Sequence, residues 1–195
     1  MRVLFLIAMV TIMNVPANGW AASKEVVFAG GCFWCMESEF HGVDGVESVI
    51  SGYSGGSAET ANYDAVSRGD TGHREVVQIT YNPEKISYED LLTIFWRNVD
   101  PFDPHGQFCD KGFQYTAAIF VHDEGERALA EASVKRIADK AGKDVKTAIL
   151  PAEPFYAAED YHQEFFLKNE QRYKIYRNGC GRDKRLDQIK DVTRD

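Results

Sequence analysis

Cysteine and proline are scarce in this chain of 195 residues, at four and six. Four cysteines are too few for a disulfide-built miniprotein, and a chain with 44% hydrophobic and 12% aromatic residues can bury a core without such staples. An excess of positive charge is also missing. Lys and Arg number 22 against 30 Asp and Glu, for a formal net charge of -8. That balance lacks the basic face that displaces counterions from nucleic acid. No apolar run reaches the ~20 residues that span a bilayer. There is no internal repeat, low-complexity tract or linker, so the length reads as one domain. A second Cys-x-x-Cys or a His-x-x-x-His is absent, which leaves zinc short of its ligands. No His follows the one Cys-x-x-Cys directly, which excludes covalent haem attachment.

The first segment has a form of its own. Arg2 precedes an apolar run from Val3 to Val15, broken only by Thr11 and Asn14, then Pro16, Gly19 and the small pair Ala21-Ala22. A charged start, a short apolar stretch and a small-residue exit describe a secretory signal peptide. Residues 1–21 are read as that signal, with cleavage after Ala21, and 22–195 as the mature domain. The alternative is an uncleaved anchoring helix. Export implies a periplasmic or secreted protein, with no stable membrane insertion after cleavage, in a compartment where thiol pairs oxidise.

Along the mature chain, strands are expected at Glu25–Ala29, Val46–Tyr53, Glu75–Tyr81, Thr116–Val121 and Lys146–Leu150. Helices are expected at Cys32–Phe40, Tyr88–Asn98 capped by Ser87, Glu124–Ala141 ended by Gly142, and Tyr161–Asn169. The order strand-helix-strand-strand-helix-strand is that of an α+β, ferredoxin-like split βαβ two-layer sandwich. Two long polar loops, Ser51–Arg74 and Asn98–Tyr115, are read as functional.

The strongest chemical signal is Gly30-Gly31-Cys32-Phe33-Trp34-Cys35. A strand, two glycines and a cysteine at a helix start place Cys32 beside unpaired N–H groups. The positive end of the helix dipole is expected to lower its thiol pKa. Phe33 and Trp34 supply an aromatic wall suited to methyl and thioether groups. Cys32 and Cys35 have the spacing of a redox pair, or of two structural cysteines.

With these residues in view, the chain resembles the peptide methionine sulfoxide reductase A family. Gly31-Cys32-Phe33-Trp34 is similar to that family's signature, as are Gly52-Tyr53-Ser54-Gly55-Gly56, Gly69-Asp70-Thr71-Gly72-His73-Arg74-Glu75, Asp110-Lys111-Gly112-Phe113-Gln114-Tyr115, and the stretch from Pro154 to Gln163. The match spans about Val26 to Leu186. The resemblance implies that Cys32 attacks the sulfoxide sulfur, Glu75 supplies the proton, and Tyr53 and Tyr115 donate to the sulfoxide oxygen. It further implies that Phe33, Trp34 and Asp110 hold the substrate. His73 and His162 are read as structural. One departure is Thr116-Ala117, where many relatives carry Arg-Ser.

The implied reaction leaves a sulfenic acid on Cys32, which a second thiol condenses to a disulfide. The candidates for that thiol are Cys180 first, in the Gly-flanked C-terminal segment Asn178-Gly179-Cys180-Gly181, which reads as mobile, then Cys35, then Cys109. The expected substrate is methionine S-sulfoxide, protein-bound or free. The expected reductant is an external, thioredoxin-like thiol donor. No cofactor and no metal is expected, and the protein is read as a monomer. The competing readings are a general thiol-disulfide oxidoreductase using Cys32 and Cys35, and a non-enzymatic secreted domain bridged Cys32–Cys35 and Cys109–Cys180.

Overall fold

The computed structural model describes residues 22–194. The expected signal segment, residues 1–21, lies outside them.

The secondary structure begins with strand β1 (Lys24–Ala29), helix α1 (Phe33–Phe40), strand β2 (Val46–Ser54), the short helix α2 (Tyr63–Val66) and strand β3 (Arg74–Tyr81). Helix α3 (Tyr88–Arg97) follows, then a small hairpin of β4 (Gly106–Gln107) and β5 (Asp110–Lys111). Strand β6 (Ala118–Val121), helix α4 (Glu124–Ala141), β7 (Ala148–Pro151) and β8 (Phe155–Ala157) complete the sheet region. The chain ends in α5 (Phe165–Lys168), α6 (Glu170–Cys180) and α7 (Arg182–Thr193).

Six strands form one mixed sheet in the order β7-β6-β1-β3-β2-β8. Only the β6–β7 pair is parallel; its crossover is α4. Thus β3 lies between β1 and β2, antiparallel to both, and β6 flanks β1 on the other side. The alternation of strand side chains divides the core in two. Val26 and Phe28 of β1, Val77, Ile79 and Tyr81 of β3, and Ile119 and Val121 of β6 form a cluster with apolar residues of α1, α3 and α4. The intervening residues Val27, Ala29, Val76, Ala118 and Phe120 form a smaller second cluster. Leu91, Leu92, Phe95 and Trp96 of α3 are all buried in the larger one, and truncating Leu91 to Ala is expected to cost about 2–5 kcal/mol. The Trp96 indole N–H donates to Ser133 Oγ at 2.9 Å and ties α3 to α4.

Local chemistry explains the helix boundaries. The Ser87 hydroxyl accepts from the Asp90 N–H while Asp90 accepts from the Ser87 N–H, a complete capping box. Asp123 caps α4, and Gly142 ends it in the left-handed conformation.

Two expectations need correction. The helix expected over Tyr161–Asn169 is a turn followed by the short α5, broken at Asn169. The Gly-flanked tail around Cys180 is ordered helix: Cys180 is the last residue of α6, and Gly181 makes a left-handed corner into α7. That corner is fixed from inside. Arg182 is 1% exposed, and its guanidinium donates to the carbonyls of Asn98 at 2.6 Å and Gly30 at 3.3 Å. It also stacks at 4.5 Å on the ring of Phe108, a residue at φ 56 in the two-residue turn between β4 and β5. A bulky residue rarely holds positive φ, and here the stacked guanidinium and the adjacent Cys109–Cys180 disulfide hold the turn.

Candidate active site

The end of β1, the start of α1 and the start of β3 meet at one small cavity. Gly31 takes φ 83, and a Cβ there would lie 2.6 Å from Gln107 Cβ, so only glycine turns the chain here. The turn delivers Cys32 as the N-cap of α1. The cavity holds about 70 Å3 and is lined by Cys32, Phe33, Trp34, Tyr63, Glu75, Asp110, Tyr115 and Tyr176. That is roughly two water volumes, enough for a small head group and too little for a folded chain.

Glu75 sits opposite Tyr53 on the β2–β3 ladder and is 3% exposed. Its Oε2 accepts from the Phe33 main-chain N–H at 3.0 Å. The first free donor of α1 therefore faces the carboxyl of Glu75. Burial nevertheless dominates and pushes the Glu75 carboxyl up to about 8, so it holds a proton at neutral pH.

The two thiols of α1 divide their charge unequally. Cys32 and Cys35 are both free and buried. Burial, the hydrogen bond to Cys35 and the field of Glu75 push the Cys32 thiol well up. The hydrogen bond from Cys32, with help from Arg182 and Arg177, holds the Cys35 thiol down to about 6. The expectation that the helix terminus alone activates Cys32 is thus corrected for the free site. Desolvation outweighs it, and the negative charge rests on Cys35.

The aromatic wall is held from several elements. Trp34 stacks on Phe165 with centroids 3.7 Å apart and 8° between planes. Its indole N–H donates to His162 Nδ1 at 3.0 Å. Phe33 packs between Tyr53 and His162. Tyr176 meets Trp34 edge-on at 5.8 Å, and its hydroxyl donates to Asp110 Oδ2.

Six of the seven expected catalytic and substrate residues line this cavity: Cys32, Phe33, Trp34, Glu75, Asp110 and Tyr115. Tyr53 is the exception. It is fully buried behind Phe33, and its hydroxyl donates to Glu159 Oε2 at 2.8 Å. The other oxygen of Glu159 accepts from the Tyr63 N–H at 2.9 Å. Tyr53 therefore braces, through Glu159, the loop that carries Tyr63 into the cavity. Of the expected partners for Cys32, Cys109 and Cys180 are joined to each other, with a Cα–Cα distance of 4.9 Å, and Cys35 is left free beside Cys32. This pairing matches half of the two-bridge alternative. The other half, a Cys32–Cys35 bond, is absent.

A family model for peptide methionine sulfoxide reductase matches residues 24–193. The chain belongs to the peptide methionine sulfoxide reductase family. It is an oxidoreductase that reduces methionine sulfoxide with electrons from thiols. The MsrA protein of Bacillus subtilis is 52% identical over 162 residues, covering 82% of this chain and 92% of its own. MsrA 2 of Caulobacter vibrioides is 46% identical over 192 residues, covering 96% of both chains. The crystal structure of reduced Mxr1 from Saccharomyces cerevisiae superposes with a TM-score of 0.72 at 34% identity, over 77% of this chain and 88% of that one. Mxr1 has also been solved in complex with Trx2.

Within the family's motifs, several polar residues serve as loop anchors. His73 Nδ1 accepts from the Gly56 N–H at 3.2 Å, and its Nε2 lies 2.9 Å from the Ser57 carbonyl, pinning the glycine-rich loop. Gln163 bonds both the N–H and the carbonyl of Ser51. Thr116, at the position of the departure from the family pattern, accepts from Arg74 Nε at 2.9 Å, so β3 supplies a guanidinium there.

Two cavity residues were not read from the sequence: Tyr63 and Tyr176. Tyr63 opens α2, and Asn62 caps that helix by accepting from the Ala65 N–H at 3.0 Å. Tyr176 belongs to a stripe of Tyr173, Tyr176, Arg177 and Cys180 at helical spacing, a signal present in the tail.

Proposed function

We propose that Cys32 is the nucleophile of an exported reductase acting on methionine S-sulfoxide, free or in oxidised proteins. The observation that carries this reading is the pairing of a buried thiol with a buried, protonated carboxyl in one aromatic cavity. The S-methyl group would lie against Phe33 and Trp34, and the substrate backbone N–H against Asp110. Cys32 passes its proton to the Cys35 thiolate as its sulfur bonds to the sulfoxide sulfur. Glu75 gives its proton to the oxygen, while Tyr115 and Tyr63 donate to it as charge develops. Tyr63 takes the place that the family resemblance gave to Tyr53. Transfer of the oxygen leaves methionine and a sulfenic acid on Cys32.

The Cys35 sulfur then attacks the Cys32 sulfur, and the hydroxyl leaves as water with the Cys35 proton. The product is a Cys32–Cys35 disulfide. Cys35 replaces Cys180 as the first choice because Cys180 is engaged with Cys109. A thioredoxin-like dithiol donor reduces the new bond and is itself oxidised. The aromatic cavity and the protonated Glu75 beside Cys32 disfavour the general oxidoreductase alternative, which needs neither.

The fold reads as the ferredoxin-like split βαβ arrangement, since β1-α1-β2 encloses β3 and β6 joins at β1. The N-terminal segment reads as a cleaved signal leading to a periplasmic or secreted monomer. Selectivity for the S epimer follows from one enzyme serving each epimer. The test is dithiothreitol-driven turnover of the two separated epimers by residues 22–195. Reduction of the S epimer alone, abolished in Cys32→Ser, is expected. Equal use of both epimers, or activity without Cys32, overturns the reading.

A further inference from the structure

Stacking fixes the tilt of an aromatic ring but leaves it free to turn and slide in its own plane. Trp34 lies flat on Phe165, with 8° between planes, so this contact alone does not set which edge of the indole faces the cavity. The direction comes from His162. The indole N–H donates to its Nδ1 at 3.0 Å, and a hydrogen bond is directional where a stack is not. An indole nitrogen can only donate, so Nδ1 is bare and the neutral imidazole carries its proton on Nε2. His162 is 2% exposed, and its Nε2 makes no hydrogen bond among the described residues. The same ring packs on Phe33, Tyr63 and Tyr161, with centroids 4.9, 4.5 and 4.2 Å away.

We propose that His162 is a positioning residue: its bare Nδ1 aims the Trp34 indole, and with it the wall that receives the S-methyl group. This rests on the reading of Phe33 and Trp34 as that wall. The imidazole is itself held in place. It stands on the turn before α5, where the His162 main-chain N–H donates to the Glu159 carbonyl at 2.8 Å. The next residue, Gln163, is tied to both main-chain groups of Ser51 on β2 and to the Ala158 carbonyl. The sheet thus fixes the turn, the turn fixes the imidazole, and the imidazole fixes the indole. A second proton on the ring breaks this chain. An imidazolium puts an N–H at Nδ1, where the indole N–H already points, and the bond is lost. Burial holds the imidazole below the ordinary histidine value of 6.5, against the pull of Glu159. The Glu159 carboxylate is engaged by the Tyr53 hydroxyl and the Tyr63 N–H. Helix α2 faces the imidazole with Tyr63, and α1 faces it with Phe33 and Trp34.

Two substitutions separate the bond from the packing. H162F keeps a ring and loses the acceptor, whereas H162N loses the ring and keeps an acceptor near the place of Nδ1. With saturating dithiothreitol and an oxidised peptide, H162F should raise KM about fivefold, the effect of one neutral hydrogen bond, with kcat within about twofold. H162N should keep KM within about twofold of the wild type. A role in packing alone predicts the reverse order. In the wild type, KM should rise as pH falls through the imidazole value below 6.5, and both variants should lack that rise. The Trp34 indole N–H resonance should move over the same pH range in the wild type and stay still in H162N. An H162F that binds like the wild type, an H162N that binds more weakly than H162F, or a stationary wild-type resonance overturns the proposal. If H162F does not fold, H162N and the wild-type titration decide alone: wild-type KM in H162N with a moving wild-type resonance supports the proposal, and a weakened H162N or a stationary resonance overturns it. W34A separates the two levels. Unchanged KM there removes the reading of the wall, whereas a weakened W34A beside an unchanged H162F removes only the role of His162.

Discussion

The Phe33 main-chain N–H reaches Glu75 Oε2 at 3.0 Å, so the residue after Cys32 holds the carboxyl that we propose as proton donor. This bond crosses from helix to sheet and sets the distance over which acid and sulfur can share a substrate. It also favours the charged form of Glu75, and burial still overrides it.

The sign of the Glu75 shift gives the first prediction. Its pKa rises from the ordinary 4.5 to about 8 on folding. The proton is therefore present at neutral pH and is lost above about 8, so kcat should fall through that region. Folding favours the protonated form, so stability should decline as pH rises from about 4.5 to about 8. E75Q should lower kcat by about 100-fold or more and flatten both the rate and melting profiles. A wild-type rate still rising at pH 9 contradicts the assignment.

The tyrosines give the second. Y63F and Y115F should each reduce kcat by about tenfold or more, with melting temperatures close to wild type, since each hydroxyl faces the cavity. Y53F instead removes a buried bond to Glu159 and should cost about 1–2 kcal/mol of stability. A Y53F protein of unchanged stability with the largest loss of kcat reverses the roles of Tyr53 and Tyr63.

The third concerns the order of sulfur chemistry. After one turnover without reductant, peptide mapping should find Cys32 joined to Cys35, and Cys109 still joined to Cys180. Cys35→Ser should stop after a single turnover with a trappable sulfenic acid on Cys32. A Cys32–Cys180 product restores the tail cysteine as the resolving thiol.

The fourth concerns the bridge. Cys109 and Cys180 close a loop of sequence separation 71, for which loop-closure entropy predicts about 4 kcal/mol of stabilisation. A C109S/C180S double variant should melt well below the wild type. The wild type in dithiothreitol should move toward that value.

Much of this was legible in the chain. The capping box at Ser87, the Gly142 stop and the alternating apolar strands mark their elements because local chemistry and burial agree there. Cys32, Phe33, Trp34, Glu75, Asp110 and Tyr115 carry recognisable patterns and do converge on one cavity. The choice between Tyr53 and Tyr63 was not legible. Tyr53 stands in a glycine-rich motif and Tyr63 does not, and only the reach of Glu159 decides which hydroxyl is occupied. The tail misled for a similar reason. Gly179 and Gly181 read as breakers, yet packing of Tyr173 beneath α1 and the Arg177 bonds to Glu39 and Asp183 keep the helix together.

The hydrogen bond from Arg182 to the Gly30 carbonyl joins positions 152 apart in sequence, two residues ahead of Cys32. The shape of the turn ahead of Cys32 is thus completed by a segment made long after it. A nascent polypeptide that has released Cys32 but not yet α7 holds a thiol without a finished pocket. During synthesis the turn at Cys32 lacks this support until α7 emerges, and a truncation that removes α7 reaches back to the start of α1.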